Sequence, residues 1–213
     1  RANVAPQIAG NFFTVNLRNV RSAFEQVPWV RSAQVRREYP RTLRVQLQEH
    51  RAVAHWGPES GSSMVNSEGE VFESNGVDAE LDDLPRLMGP VGTSEQVLAM
   101  EQALLPVFEP LGLELSGLEL SARGGWRASF DGDAAIELGS GTPPEVVQRT
   151  RNFAETLTRV AAQFGRRADA LESADLRHTG GYALRLRGVS TVRKPPESDS
   201  ACSTASSSSS PLG

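Results

Sequence analysis

The sequence predicts an α+β fold in two units, followed by a tail that does not fold. Three observations carry this. Between residues 10 and 50 one segment of helical period is followed by two alternating segments, which reads as helix, strand, turn, strand. Between 57 and 190, short alternating segments are interleaved with two long segments of helical period, beginning near 94 and 143. From Thr191 onward the periodicity stops, and Lys194-Pro195-Pro196 and the run Ser206 to Ser210 have the composition of disorder. With 213 residues, 38% of them apolar and set in short patterned runs, the chain can build one or two domains with a sizeable core.

The elements follow in order. Asn16 is placed to cap a helix whose apolar residues Leu17, Val20, Phe24 and Val27 recur three to four apart, and Pro28 ends it. Ala33 and Val35 alternate with Gln34 and Arg36, Tyr39-Pro40-Arg41 turns the chain, and Leu43, Val45 and Leu47 alternate with Arg44, Gln46 and Gln48. These two strands form a hairpin with one apolar face for the helix and one basic, wet face. Val53 to Trp56, Met64 to Asn66 and Val71-Phe72 read as short strands, with Ser67-Glu68-Gly69 as a turn. Residues 74–93 read as an acidic loop broken by Pro85, Gly89, Pro90 and Gly92. Ser94 is placed to cap a helix to about Phe108, with Val97, Met100, Leu104 and Phe108 as its stripe. Leu113 to Ala122 and Trp126 to Phe130 are strands, Asp131-Gly132 is a hairpin signal, and Ala135 to Leu138 returns. After a loop at Gly139 to Thr142, Pro143 and Pro144 open a long helix striped by Val146, Thr150, Phe153, Leu157, Val160 and Phe164. Ala174 and Leu176 mark a strand, Thr179-Gly180-Gly181 a turn, and Tyr182 to Gly188 a last strand.

Charge is unevenly spread. Residues 1–56 carry a net +6, 57–120 a net −12 and 121–194 a net +4, within a total of −4. Such segregation points to charged partner surfaces. No run of about 18 apolar residues occurs, so no transmembrane helix is expected within these residues. The single cysteine, Cys202, supports neither a disulfide framework nor a thiolate metal site.

Signals of catalysis or cofactor binding are weak. His50 and His55 are five apart but lack further ligands at useful spacing, so a structural role is expected and no metal. Gly139-Ser140-Gly141-Thr142 lacks the lysine of a P-loop and the third glycine of a dinucleotide fingerprint, so no cofactor is expected. Ser62, His55 and Asp78 can be written as a triad, but no nucleophile-elbow motif surrounds any serine. The Arg31, Arg36, Arg37, Arg41 and Arg44 hairpin has only Tyr39 for base stacking. It therefore reads as a partner or membrane-proximal surface, with anionic lipid as one possibility and no nucleic acid expected.

A collinear set of motifs resembles the extracytoplasmic part of the FtsQ/DivIB family of bacterial cell-division proteins. Gly10 to Val15, Val27-Pro28-Trp29-Val30, Tyr39-Pro40 and Glu49-His50-Arg51-Ala52 to His55-Trp56-Gly57 look like its POTRA module. Val65-Asn66, Gly69-Glu70-Val71-Phe72, Leu84-Pro85-Arg86-Leu87, Arg123-Gly124-Gly125-Trp126 and Ala174-Asp175-Leu176-Arg177 look like its β domain. The resemblance implies a POTRA module at 1–56, lacking its first strand, then a β domain at 57–190 with a mixed or antiparallel sheet and packed helices, and a tail at 191–213. It also implies a single transmembrane helix upstream, placing this part in the periplasm at the division septum of the inner membrane.

The family's role is scaffolding without catalysis or cofactor. FtsK or other divisome proteins are expected on the POTRA module, and FtsB and FtsL at the end of the β domain. The last strand, followed only by tail, is expected to be a sheet edge to which a partner strand can add. The expected partner-binding residues are Arg123, Arg177, His178, Tyr182, Ala183, Leu184, Arg185, Leu186 and Arg187. Arg123 and Arg177 match family positions for that contact, and His178 stands where the family has an aromatic. The alternatives are a POTRA-bearing accessory of an outer-membrane assembly or secretion system, which usually has repeated modules or a barrel, and a periplasmic hydrolase.

Overall fold

The structure, a computed structural model, describes residues 13–74, 81, 83–178 and 180–189. The expected missing first strand and the tail at 191–213 fall outside these residues.

Among the described residues the first unit is one helix on one hairpin. Helix α1 (Leu17–Glu25) starts where the Asn16 side chain accepts the Arg18 N–H at 2.9 Å, the capping bond its sequence position called for. Strands β1 (Val30–Glu38) and β2 (Thr42–Glu49) pair antiparallel through a turn with a cis Tyr39–Pro40 bond. Val15, Val20, Val30 and Ala33 are its buried apolar side chains. Glu25 reaches across from α1, accepting the Ala33 N–H at 3.2 Å and pairing with Arg21 at 2.8 Å.

The second unit is a nine-stranded mixed sheet in the order β11-β10-β9-β8-β7-β6-β3-β4-β5. Its strands are β3 (Ala52–Trp56), β4 (Ser63–Asn66), β5 (Val71–Glu73), β6 (Arg86–Met88), β7 (Leu115–Leu120), β8 (Gly125–Phe130), β9 (Ala135–Ser140), β10 (Leu171–Asp175) and β11 (Ala183–Leu186). Helix α2 (Ser94–Phe108) crosses between the parallel pair β6 and β7, and α3 (Pro143–Gln163) between the parallel pair β9 and β10. The two helices touch each other and pack on the sheet, enclosing one core. Leu87, Leu118, Trp126, Ala128, Ile136 and Leu138 meet Leu104, Phe108, Phe153 and Leu157 there. Phe108 and Phe130 pack edge to face at 4.7 Å. Each fully buried Leu, Ile or Phe contributes roughly 1.5–3 kcal/mol.

Three expectations are revised. Residues 84–88 were read within an acidic loop, yet Arg86–Met88 is a central strand between β3 and β7. Three residues between breakers are too short to show a period, and only the flanking strands make them one. Ser94 is the first residue of α2 and caps nothing: its hydroxyl donates to the Gly69 carbonyl at 2.7 Å. Residues 52–56 were assigned to the first unit but pair with β4 and β6, so the chain changes sheets at about residue 51.

A polar knot joins the units. Arg31 on β1 pairs with Glu68 at 3.1 Å and Glu70 at 2.8 Å. The His50 ring stacks on Phe72 at 4.4 Å, and its Nδ1 lies 3.0 Å from Asn66 Nδ2. Buried Asn66 accepts the N–H groups of Glu68 and Glu70 through Oδ1 and donates to the Glu70 carboxylate. With Oδ1 committed, Asn66 faces His50 as a donor, so the imidazole accepts through Nδ1 and carries its proton on Nε2.

Candidate functional site

Strand β11 is one end of the sheet, and among the described residues nothing pairs with its outer side. Arg187 N–H donates to the Ala170 carbonyl at 2.8 Å. By strand alternation Arg185 and Ala183 direct their backbone groups to β10, and Leu184 and Leu186 direct theirs to the open edge. The side chains alternate likewise. Leu186 is 3% exposed and Leu184 half-buried against the core, while Ala183, Arg185 and Arg187 face water. Leu186 is thus reachable only through its backbone. Tyr182 sits half-buried, edge to face with Phe153 at 5.5 Å, so its ring serves the core as well as the surface.

Arg123 and Arg177 lie 54 positions apart in sequence and line one open cleft of about 600 Å³ that β7, β8 and β9 share with Arg149 of α3. Arg123 is carried by the turn between β7 and β8, closed by Ser121 N–H to Gly125 O at 2.8 Å and by the Ser121 hydroxyl accepting Gly125 N–H at 2.9 Å. Gly124 sits in the left-handed region at φ 78°, which suits a glycine there. Arg177 follows β10. Glu119, Arg127, Glu137 and Arg149 complete the cleft, with Arg127 paired to Glu137 at 3.2 Å.

His178 opens onto a second cleft of about 650 Å³, with Tyr182, Glu145, Gln148 and Asn152. Arg149 on α3 borders both clefts. It donates to the carbonyls of Leu138 at 2.6 Å and Ser140 at 3.1 Å, fixing the end of β9 against the helix. That helix starts with a capping box in which Glu145 accepts the Thr142 N–H, and this bond holds the Glu145 carboxyl below its ordinary range.

Most edge arginines are engaged by their own chain. Arg177 chelates Asp175, and this bond holds the Asp175 carboxyl at about 2, against an ordinary 3.8. Arg185 pairs with Glu172 at 3.0 Å, and Arg187 donates to the Gly132 carbonyl. Arg123 is exposed and makes no ion pair among the described residues. The site can therefore offer a carboxylate one uncommitted cation and a second that must exchange its partner.

Sequence reasoning missed Arg149, Glu119 and Glu137, which carry no local motif. Asp175 was missed as well: it stands two residues before Arg177, and only the fold brings that guanidinium back onto it. Of the motifs set aside, Asp78 lies outside the described residues, and His55 Nε2 is 2.8 Å from the Leu81 carbonyl. Among the described residues no group of His, Cys, Asp and Glu could hold a metal ion, and no helix is long and apolar enough to cross a membrane.

Comparison with known proteins agrees with this layout. The family model for the POTRA domain, FtsQ-type, matches residues 1–50, and that for cell division protein FtsQ/DivIB, C-terminal, matches 54–177. The chain is 37% identical over 191 residues to cell division protein FtsQ of Thiomonas arsenitoxydans, covering 89% of this chain and 69% of that protein. It is 36% identical to the FtsQ of Burkholderia pseudomallei (89% and 73%) and 35% to that of Bordetella pertussis (92% and 73%). With both halves matched in order and relatives aligned over most of its length, the chain belongs to the FtsQ/DivIB family of cell-division proteins.

Proposed function

We propose that this chain is the periplasmic part of a divisome scaffold, anchored in the inner membrane by an upstream transmembrane helix at the division septum. It works by protein contacts alone, without catalysis. The POTRA unit meets FtsK or other divisome proteins, and the β unit takes FtsB and FtsL by strand addition to β11. The observation that carries this reading is the open edge, where the backbone groups of Leu184 and Leu186 face outward, and the same unit has a cleft that brings Arg123 and Arg177 together. Added backbone bonds supply affinity, and the arginines select a segment with acids at matching positions.

The test is binding of a peptide from the periplasmic end of FtsB. Leu184→Pro removes an outward N–H and leaves the bonds to β10, so it should abolish binding by a folded chain. Ala183→Pro strikes an N–H directed at β10 and should weaken the fold itself. Arg123→Glu should lower affinity about tenfold or more, as loss of a charge-assisted hydrogen bond does, and Arg177→Glu less. Unchanged binding by Leu184→Pro would sink strand addition at this edge.

A further inference from the structure

The hairpin tip of the first unit carries a basic surface that the edge site does not use. Arg36 and Arg44 are cross-strand partners in the register of β1 and β2. Like charges directly opposite each other destabilise a hairpin. Arg44 has one exposed acid, Glu38, at 2.8 Å, while the bond given for Arg36 is to the neutral Gln34. Arg41 is exposed in the turn and makes no ion pair among the described residues. Between these arginines Tyr39 stands 86% exposed at the tip. A large aromatic held in water beside arginines has the chemistry of a membrane-interface anchor: the ring sits among headgroups while the guanidinium groups meet phosphates.

The path of the chain says which way the tip faces. Val15 precedes α1, and its carbonyl accepts from Arg37 Nη2 at 2.6 Å. Arg37 is two residues from Tyr39, at the tip end of β1. The other end of the hairpin, at Val30 and Glu49, adjoins the polar knot with the β unit. A nine-residue strand spans about 30 Å. Val15 thus stands at the tip end of the hairpin, about 30 Å from the end that adjoins the β unit, and with the anchor on the side away from the β unit the tip faces the bilayer.

We infer that the β1–β2 tip, with Arg36, Tyr39, Arg41 and Arg44, docks on an anionic phospholipid surface and holds the first unit against the membrane. The orientation rests on the anchoring reading above; the lipid contact does not. The chain's net charge is −4, so attraction to anionic vesicles must come from a local basic patch and not from the chain as a whole.

The experiment is co-sedimentation of this chain with vesicles of phosphatidylcholine alone and with 30% phosphatidylglycerol, at low and moderate salt. Binding is expected only to the anionic vesicles and should fall with salt. Each arginine neutralised should weaken it about fivefold, so Arg36→Gln/Arg44→Gln should lose roughly twenty-five-fold while circular dichroism stays unchanged. Tyr39→Ala should lose less, and Arg159→Gln on the exposed face of α3 should bind as the parent. Equal binding to neutral vesicles, or an equal loss in Arg159→Gln, overturns the inference. Absence of anionic binding by the folded chain also overturns it, and assigns the tip to an acidic protein partner. Fractionation of the full-length protein tests the anchor separately.

Discussion

Asp175 accepts four hydrogen bonds from one residue, Arg177, through its backbone N–H, Nε and Nη2. This depresses its pKa to about 2 from 3.8. An acid with a depressed folded pKa adds stability that is present above its unfolded value and lost as pH falls through the folded one. Arg177 is 62% exposed, so solvent screens the pair and its contribution to stability is small. Asp175→Asn should therefore lower stability slightly at pH 7 and make no difference below pH 2, read by urea unfolding at both. Glu101 has the opposite sign. It is 7% exposed on α2, and burial pushes its carboxyl above 4.5. Its charge opposes folding above that ordinary value, so Glu101→Gln should raise the urea midpoint at pH 7, with the gain fading below pH 4. Neither effect was legible in sequence. Glu101 stands four residues after Val97 and three before Leu104, on the face of the α2 stripe, but only packing shows that its position is covered.

At the scale of elements, the join between β9 and α3 shapes the candidate site. Gly139 has φ 81°, and a Cβ there would lie 2.9 Å from Arg149 Nη1 and 3.4 Å from Arg177 Cα. Gly139→Ala should cost about 1–3 kcal/mol through strain at positive φ and shift the Arg149 guanidinium; the thermal midpoint and the peptide-binding assay together check it. The elements most legible in sequence were those with a long period or a chemical stop. The Asn16 cap, the hairpin turning at Tyr39-Pro40 and the stripe Val146, Thr150, Phe153 and Leu157 stand where their spacing put them, whereas Val160 is only half-buried, Ala161 takes the buried place, and Phe164 lies past the helix end, 52% exposed. Strand β6 was illegible because three residues carry no periodicity of their own.

The whole molecule consists of two units joined by a short segment and by the knot of Arg31, His50, Asn66, Glu68, Glu70 and Phe72. Asn66 is 1% exposed and satisfies two backbone N–H groups. Asn66→Ala should cost about 1–3 kcal/mol by removing the acceptor of two part-buried backbone N–H groups. It should also loosen the units, so that small-angle scattering shows a broader range of inter-unit distances and calorimetry a split transition. An unchanged single transition would show that the knot does not couple them. Sequence by itself determined the α+β class, the order of most elements and the position of the last strand. These follow from periods, caps and breakers, which act over a few residues. Only the tertiary structure decided that β6 fills the middle of the sheet, that the sheets change near residue 51, that Arg123 and Arg177 share a cleft, and that Asp175 already occupies one of them. Pairing across tens of residues depends on which surfaces bury one another, and no local pattern encodes that.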